Sequence, residues 1–401
     1  VVGATNAVEH PPPHACQPYE ALISTPEGPI PIGDIVSRGL VGLTVFDGRL
    51  DGTGTAQVIA VKDNGQEPVF RIALKNGVCI DATADHLVWA KEARRTHGEW
   101  RRVDALTPGM RVELSTVTAL DSRRDAAAED EAALVGWLHG DGFVGQYEQG
   151  TNRSLTVEFM TINKDEFHFV QERIQRVFPE VHFHVRSVET QTPGLEVRRI
   201  RLYGEVLRPF VEKYDLLRGP KEDVTISPGL RLAGREVQAA YLRALFQADG
   251  TVRLRSRRSR TSDVVLTTVS PQLARDVQAL LLNLGIYARV QRGTETRSNR
   301  RVPYFVSVGY ADARNRFREL IGFVSEEKRS KLDRACSTDY PGKRLPGLRE
   351  ETILRIEALG VQPVYDIQTS SGQYLCNNVV VHNCFIQSIE DDLVNENGIM
   401  D

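Results

Sequence analysis

Val379-Val380-Val381-His382-Asn383-Cys384 ends the last apolar run of the chain. Consecutive β-branched residues favour a strand, so a strand here delivers an imidazole, a carboxamide and a thiol in succession. An asparagine carboxamide can attack its own backbone carbonyl, closing a succinimide and cutting the peptide bond that follows. A neighbouring imidazole can polarise that carbonyl, and a cysteine beyond the cut is a nucleophile once ionised. An isolated His-Asn-Cys triplet means little. Its weight comes from what stands upstream.

Asp366 lies in the β-type run VYDIQT, and Ser371-Gly372 marks a turn before the final strands. The same pattern occurs near the other end of the chain. Gly65, Pro68, Val69, Phe70 and Ile72 recur in spacing as Gly360, Pro363, Val364, Tyr365 and Ile367. Each set leads through a turn (Asn76-Gly77, Ser371-Gly372) and a strand to a histidine, His86 nine residues after Gly77 and His382 ten after Gly372. Two related β arms forming one domain around a central insert are expected. From Cys16 to about Leu120 short β runs (ALIST, LVGLTVF, AQVIAV, VFRIAL, HLVWA, RVELSTVTAL) alternate with Gly, Pro and Asp. DSRRDAAAEDEAALVGWL then turns helical, and helical and strand patterns alternate to about residue 335. STDYPGKRLPG (337–347) reads as a linker, and β runs resume at ETILRIEAL.

Composition narrows the function classes. With 401 residues, 41% hydrophobic and 26% charged, two or three domains of a water-soluble protein are expected. A net charge of -3 and a pI near 6.4 argue against a chain basic throughout, while leaving room for a local basic surface. No apolar run is long enough for a membrane span, and Val1–Ala15 lacks the features of a secretion signal, so a cytoplasmic location without membrane partners is expected. Five scattered cysteines (Cys16, Cys79, Cys336, Cys376, Cys384) include no CxxC pair, which disfavours a disulfide framework. Cys79 and Cys376 lie in apolar strands and read as packing residues; the role of Cys336 is open.

Cys16 follows the small residue Ala15, and Thr83-Ala84-Asp85-His86 follows a strand. A thiolate at Cys16 can attack the preceding carbonyl and turn the Ala15–Cys16 amide into a thioester. That step needs the leaving nitrogen protonated, for which His86 is a suitable general acid; Thr83 is placed to hold the oxyanion or the strained amide. Cys384 can then attack the thioester, and Asn383 can cyclise to release the segment.

Cys16, the TxxH of Thr83 and His86, Asp366, and the His382-Asn383-Cys384 end together resemble the intein family, over Cys16–Asn383. The resemblance implies an all-β, pseudo-two-fold Hint-type splicing domain that needs no cofactor. It implies Cys16 as first nucleophile, Thr83 and His86 as the N-terminal junction pair, and Asp366 as acid/base. His382 and Asn383 form the cleavage pair, and Cys384 is the second nucleophile. One departure is clear: many inteins carry a histidine about ten residues before the terminal asparagine, where Gly372 stands. Cyclisation is therefore expected to lean on Asp366 and His382, or to run slowly.

Within the insert, LVGWLHGDG (Leu134–Gly142) and LRALFQADG (Leu242–Gly250) each end in Asp-Gly, with Asp141 and Asp249 108 positions apart. Gly136 and Ala244 would let two such helices approach closely. Two facing carboxylates suit a divalent cation, Mg²⁺ above all, acting on a phosphodiester. The pair of motifs, each followed by strand-like sequence, resembles the LAGLIDADG homing endonucleases, α+β domains that grip double-stranded DNA with sheets. Arg253, Arg255, Arg257 and Arg258 directly follow the second motif, Arg198, Arg199 and Arg201 lie in EVRRIRLYG, and Arg292, Arg297, Arg300 and Arg301 form a third group. Arg253, Arg255, Arg257, Arg258, Arg198 and Arg201 are the expected DNA contacts. The strand after the first motif is less basic, which predicts uneven grip on two half-sites. A supporting lysine is expected at Lys221, Lys328 or Lys331.

The flanks, VVGATNAVEHPPPHA and CFIQSIEDDLVNENGIMD, resemble the catalytic subunit of a vitamin B12-dependent, class II ribonucleotide reductase. The expected organisation is an N-extein fragment (1–15), a splicing domain in two parts (16–125 and 339–383), a LAGLIDADG endonuclease domain (126–338) and a C-extein fragment (384–401). The expected activity is autocatalytic splicing with site-specific DNA cleavage for homing, by a monomer whose partners are DNA and its own exteins. Two alternatives stand beside it: a splicing-only element with a degenerate endonuclease, and a metal-dependent nuclease that does not splice.

Overall fold

The computed structural model describes residues 16–48, 54–116, 125–146, 154–188, 197–217, 219–255, 261–294, 301–337 and 348–383. The chain divides into two compact units, Val1–Ala119 with Gly347–Asp401, and Leu120–Pro346 between them. Both junctions fall outside the described residues, as do Ala15, Arg257, Arg258, Arg297, Arg300 and Cys384.

In chain order the first unit has β1 (Gln17–Pro18), β2 (Leu22–Thr25), β3 (Gly28–Pro31), the short helix α1 (Ile32–Ser37), β4 (Thr44–Phe46), β5 (Thr55–Leu74), β6 (Cys79–Thr83), β7 (Leu87–Lys91), β8 (Glu99–Arg102) and β9 (Arg111–Ser115). The second unit begins with α2 (Ala126–Asp141), β10 (Gly142–Gln146), β11 (Leu155–Thr161), α3 (Lys164–Val177), β12 (Phe183–Val188), β13 (Val197–Tyr203), α4 (Arg208–Lys213) and α5 (Pro228–Arg231). It continues with α6 (Arg235–Asp249), β14 (Gly250–Arg253), β15 (Asp263–Thr268), α7 (Pro271–Asn283), β16 (Arg289–Arg292), β17 (Tyr304–Val308), α8 (Ala311–Leu320) and α9 (Glu326–Ser337). The first unit then closes with β18 (Leu348–Thr369), β19 (Gln373–Cys376) and β20 (Val379–His382).

Strand runs rich in Val, Ile and Leu make the first unit almost wholly β, in a 12-stranded sheet of order β3-β2-β19-β20-β7-β9-β18-β5-β4, with β1, β6 and β8 as side branches. Its spine is the antiparallel pairing of β5 with β18, from Ile353↔Leu74 to Thr369↔Val58. The runs AQVIAV and VFRIAL thus belong to one strand rather than two, because Asn64-Gly65 makes a bulge instead of a turn. The ladder slips between Pro363 and Tyr365, opposite Asn64-Gly65, and again between Ala358 and Gly360. Gly65 (φ +76°) and Gly360 (φ +85°) supply the left-handed backbone that such bulges use. Gly360 pairs with Val69, and its repeat counterpart Gly65 lies opposite Val364, the counterpart of Val69. The repeat in the sequence is thus a pairing of the two arms on each other.

The second unit is built twice from one pattern, helix-strand-strand-helix-strand-strand. Its two four-stranded antiparallel sheets run β10-β11-β13-β12 and β14-β15-β17-β16. The leading helices α2 and α6 pack on each other. A Cβ on Gly136 would lie 2.2 Å from the Tyr241 carbonyl oxygen, and one on Gly140 2.5 Å from the Ala248 Cβ. Only glycine permits this approach. Ala132–Leu138 of α2 are buried on every side, as a central helix requires. Asp125 caps α2 by accepting from the Ala128 N–H at 3.1 Å. No helix among the described residues is long and apolar enough to cross a membrane.

Candidate functional site

The first unit holds Cys16 immediately before β1, which pairs with β18 through Gln17↔Tyr365 and Pro18↔Val364. Cys16 is fully buried, in a cluster with Val69, Val364 and Leu359. Its backbone N–H, the nitrogen of the Ala15–Cys16 bond, donates to Thr83 Oγ1 at 2.8 Å. The Thr83 N–H donates to the Cys16 carbonyl at 2.9 Å. The Thr83 hydroxyl donates to Asp85 Oδ1 at 2.8 Å. His86 and Asp366 are buried. Burial and the charge of Asp366 push the Cys16 thiol up to about 12, while a hydrogen bond from Asn64 pulls the other way. That bond runs from Asn64 Nδ2 to Cys16 Sγ at 2.9 Å.

The other end of the same unit brings together His382, Asn383 and Thr369. His382 Nδ1 lies 2.5 Å from the Asn383 carbonyl oxygen. A carbonyl can only accept, so Nδ1 carries the proton and donates. Thr369 Oγ1 lies 3.1 Å from Asn383 Oδ1. The Asn383 N–H donates to the Gly372 carbonyl at 3.1 Å. The His382 ring stands edge-on to Trp100, centroids 5.0 Å apart, and Trp100 stands likewise on Trp89 at 5.1 Å. Gly372 has φ +82°, and a Cβ there would stand 3.9 Å from Asn383 Oδ1 and 4.0 Å from His382 Nε2. A side chain at 372 would therefore reach this pair; the hydroxyl of Thr369 contacts the carboxamide instead. β18 serves both ends, since Tyr365 pairs with Gln17 and Thr369 reaches Asn383.

Cys376 is fully buried, and burial pushes its thiol up to about 12, in keeping with a packing role. Cys79, half-buried in β6, has its own carbonyl bonded by Asn377 Nδ2 at 2.7 Å.

In the second unit α2 and α6 end in Asp141 and Asp249. A Cβ at Gly140 would come within 3.6 Å of the Asp249 carboxyl carbon, so that carboxylate lies against the end of the opposite helix. Burial and the like charge of Asp141 raise the Asp249 carboxyl to about 6; burial raises Asp141 as well. Lys221 Nζ donates to the Gly140 carbonyl at 2.9 Å and Lys328 Nζ to the Gly250 carbonyl at 2.8 Å, one lysine at each helix end. Lys331 instead pairs with Glu327 at 2.6 Å, away from the carboxylates. Among the described residues no group of three or more His, Cys, Asp or Glu gathers to hold a metal. Two largely buried carboxylates, Asp249 raised in part by the charge of Asp141, stand beside helix-terminal carbonyls and still fit a divalent cation, which would relieve that repulsion.

On the first sheet the cross-strand row Phe143, Glu158, Arg201, His184 and the row Met160, Arg199, Arg186 share one face. This face forms a cavity of about 420 Å³ lined by Asp141, Phe143, Glu158, Arg199, Arg201 and Lys221. Arg201 pairs with Glu158 at 2.7 Å. Arg198, expected among the DNA contacts, alternates to the other side of the strand from Arg199 and stacks on Phe167 of α3 at 4.6 Å. The EVRRIRLYG arginines and Arg186 belong to the first sheet, beside the strand that looked poor in charge. On the second sheet Arg253 is exposed and clasps Asp263 with two hydrogen bonds, at 3.1 and 2.9 Å. Arg255 is exposed just beyond β14.

Sequence reasoning missed Asn64, Thr369, Trp100, His184 and Arg186. Asn64-Gly65, an Asn-Gly pair inside a strand run, is a bulge signal that pointed to the first of these. The others become neighbours only through strand pairing.

Residues 236–322 match the LAGLIDADG-like domain family. The replicative DNA helicase DnaB of Rhodothermus marinus is 28% identical over 337 residues, 81% of this chain and 33% of that protein. The ribonucleoside-diphosphate reductase NrdEB subunit alpha of Bacillus subtilis (strain 168) is 23% identical over 401 residues, 92% of this chain and 36% of that protein. The chain spans about a third of the length of these curated relatives. Among solved structures, the G-1F mutant of the Ssp DnaB mini-intein variant M86 is similar at a TM-score of 0.30 and 10% identity, covering 92% of this chain and 99% of that one.

Proposed function

We propose that this chain, which resembles an intein carrying a LAGLIDADG domain, splices itself out of a host protein and cleaves double-stranded DNA. The Hint-type splicing domain is the two-part β unit (16–125 and 339–383), and the endonuclease is the α+β unit (126–338). The observation that carries the splicing reading is the hydrogen bond from His382 Nδ1 to the Asn383 carbonyl, which polarises the carbon that the Asn383 carboxamide attacks.

In the first step the Cys16 sulfur bonds to the carbonyl carbon of residue 15 and the C–N bond breaks. The thiol proton ends on the Cys16 nitrogen, with His86 as general acid and Asp366 as acid/base. Thr83, already bonded to that nitrogen, holds the strained amide. Cys384 takes the acyl group, Asn383 cyclises and cuts its own C-terminal bond, and an S-to-N shift joins Ala15 to Cys384. Two relatives of unrelated activity, a helicase and a reductase, share only about a third of their length with this chain, which fits a segment carried by different hosts.

Asp141 and Asp249 would hold a divalent cation, which when bound would stabilise the developing charge of a phosphodiester under attack. Lys221 and Lys328 are placed to donate to or orient water there. The face of Arg186, Arg199 and Arg201, with Arg253 and Arg255 on the second sheet, would take the phosphates.

Incubation of a plasmid bearing an uninterrupted host-gene site with the folded protein and Mg²⁺ tests the nuclease. Cutting that disappears in Asp141→Asn supports it; no cutting identifies a splicing-only element. Mass analysis of the expressed chain tests splicing, and an unchanged mass favours a nuclease that does not splice.

A further inference from the structure

Asn64 stands in no motif of the splicing constellation, yet its side chain meets the reacting sulfur. Four observations converge on it. The bulge at Asn64-Gly65 breaks the alternation of β5, and Gly65 at φ +76° with its N–H on Asp63 Oδ1 at 2.9 Å fixes the local turn. A bulge of this kind re-aims the side chain beside it, and here Asn64 Nδ2 comes to 2.9 Å from Cys16 Sγ.

The other arm shows what the fold alone requires. In the repeat, Gly65 corresponds to Gly360, so Asn64 corresponds to Leu359, which also packs against Cys16, Val69 and Val364. An aliphatic side chain therefore satisfies the bulge and can itself pack on Cys16; a carboxamide at this place is the departure from the repeat. The surroundings of the sulfur explain its use. Asp366, Asp85 and Glu67 all oppose ionisation of the thiol, and burial opposes it more; the hydrogen bond from Asn64 favours it.

Resting on the splicing reading, we infer that Asn64 is a catalytic residue of the acyl shift, its N–H donating to the Cys16 thiolate while that sulfur attacks the carbonyl of residue 15. In the shift one C–S bond forms, one C–N bond breaks, and the sulfur's proton ends on the Cys16 nitrogen, so no outside reactant is needed. The same N–H supports the sulfur when it leaves as thiolate on attack by Cys384. A neutral donor suits both roles, because it stabilises the anion without a fixed counter-charge.

The test uses the full chain with Asn383→Ala and Cys384→Ala, so that only the first step proceeds. Dithiothreitol-induced release of residues 1–15 is timed with Asn64, Asn64→Leu and Asn64→Gln, and alkylation of Cys16 by iodoacetamide is followed against pH. Asn64→Leu is expected to slow release by about 10-fold or more, the effect of a hydrogen bond to a charged group. It is also expected to move the alkylation profile to higher pH, with Asn64→Gln recovering part of both. Asparagine cyclisation, measured in a chain with Cys16→Ala and native Asn383-Cys384, is expected to be unchanged by Asn64→Leu. Release within twofold of the parent with an unmoved alkylation profile overturns the inference. So does equal slowing of cyclisation, which marks structural damage. A parent that releases nothing overturns the splicing reading itself.

Discussion

Asp249→Asn should stabilise the second unit while abolishing the DNA cleavage proposed for it. Burial and the like charge of Asp141 raise the Asp249 carboxyl from its ordinary 3.8 to about 6. A folded-state pKa above the unfolded value means the folded state holds the proton longer, so ionisation costs stability as pH rises from about 4 through 6. That is a difference of about two pKa units, and at 1.36 kcal/mol each the cost at pH 7 is about 3 kcal/mol. Asparagine keeps the shape and removes the charge. Denaturant unfolding without metal should therefore show Asp249→Asn more stable than the parent by about 2–3 kcal/mol at pH 7. The gap should shrink towards zero below pH 4, where the parent carboxyl is already protonated. Added Mg²⁺ should stabilise the parent more than the variant. A variant no more stable at pH 7, or a gap that does not change with pH, would refute the picture of two carboxylates held together at a cost.

Other outcomes follow from the same contacts. Gly136→Ala should destabilise the second unit by about 1–3 kcal/mol, because its Cβ would meet the Tyr241 carbonyl, and calorimetry should show the loss in that unit's transition. His382→Ala should slow release of residues 384–401 by about 100-fold, the usual loss for one donor at a developing oxyanion, while thioester formation at Cys16 continues. Arg201→Ala should weaken DNA binding and lower the salt dependence by about one phosphate contact, whereas Arg198→Ala should not, and fluorescence anisotropy across a salt series separates them.

The strands were legible where an apolar run was unbroken, as in Leu87–Lys91 and Val379–His382. The helices ending in Asp141 and Asp249 were legible because small residues and a terminal carboxylate repeat. What the sequence hid are contacts across strand pairings. Thr369 and Asn383 lie 14 positions apart and meet only because β18, β19 and β20 fold back on one another. The face chosen by each arginine was likewise hidden. In Arg198-Arg199 one residue looks to the helix and the next to the open sheet, which register alone decides.

Intact-mass analysis of the expressed chain decides whether residues 16–383 excise themselves. Splicing yields a product joining residues 1–15 to 384–401 and a released segment 16–383 ending in a succinimide, both abolished by Cys16→Ala and by Asn383→Ala. A single species at the mass of the full chain, unchanged by either substitution, would contradict it.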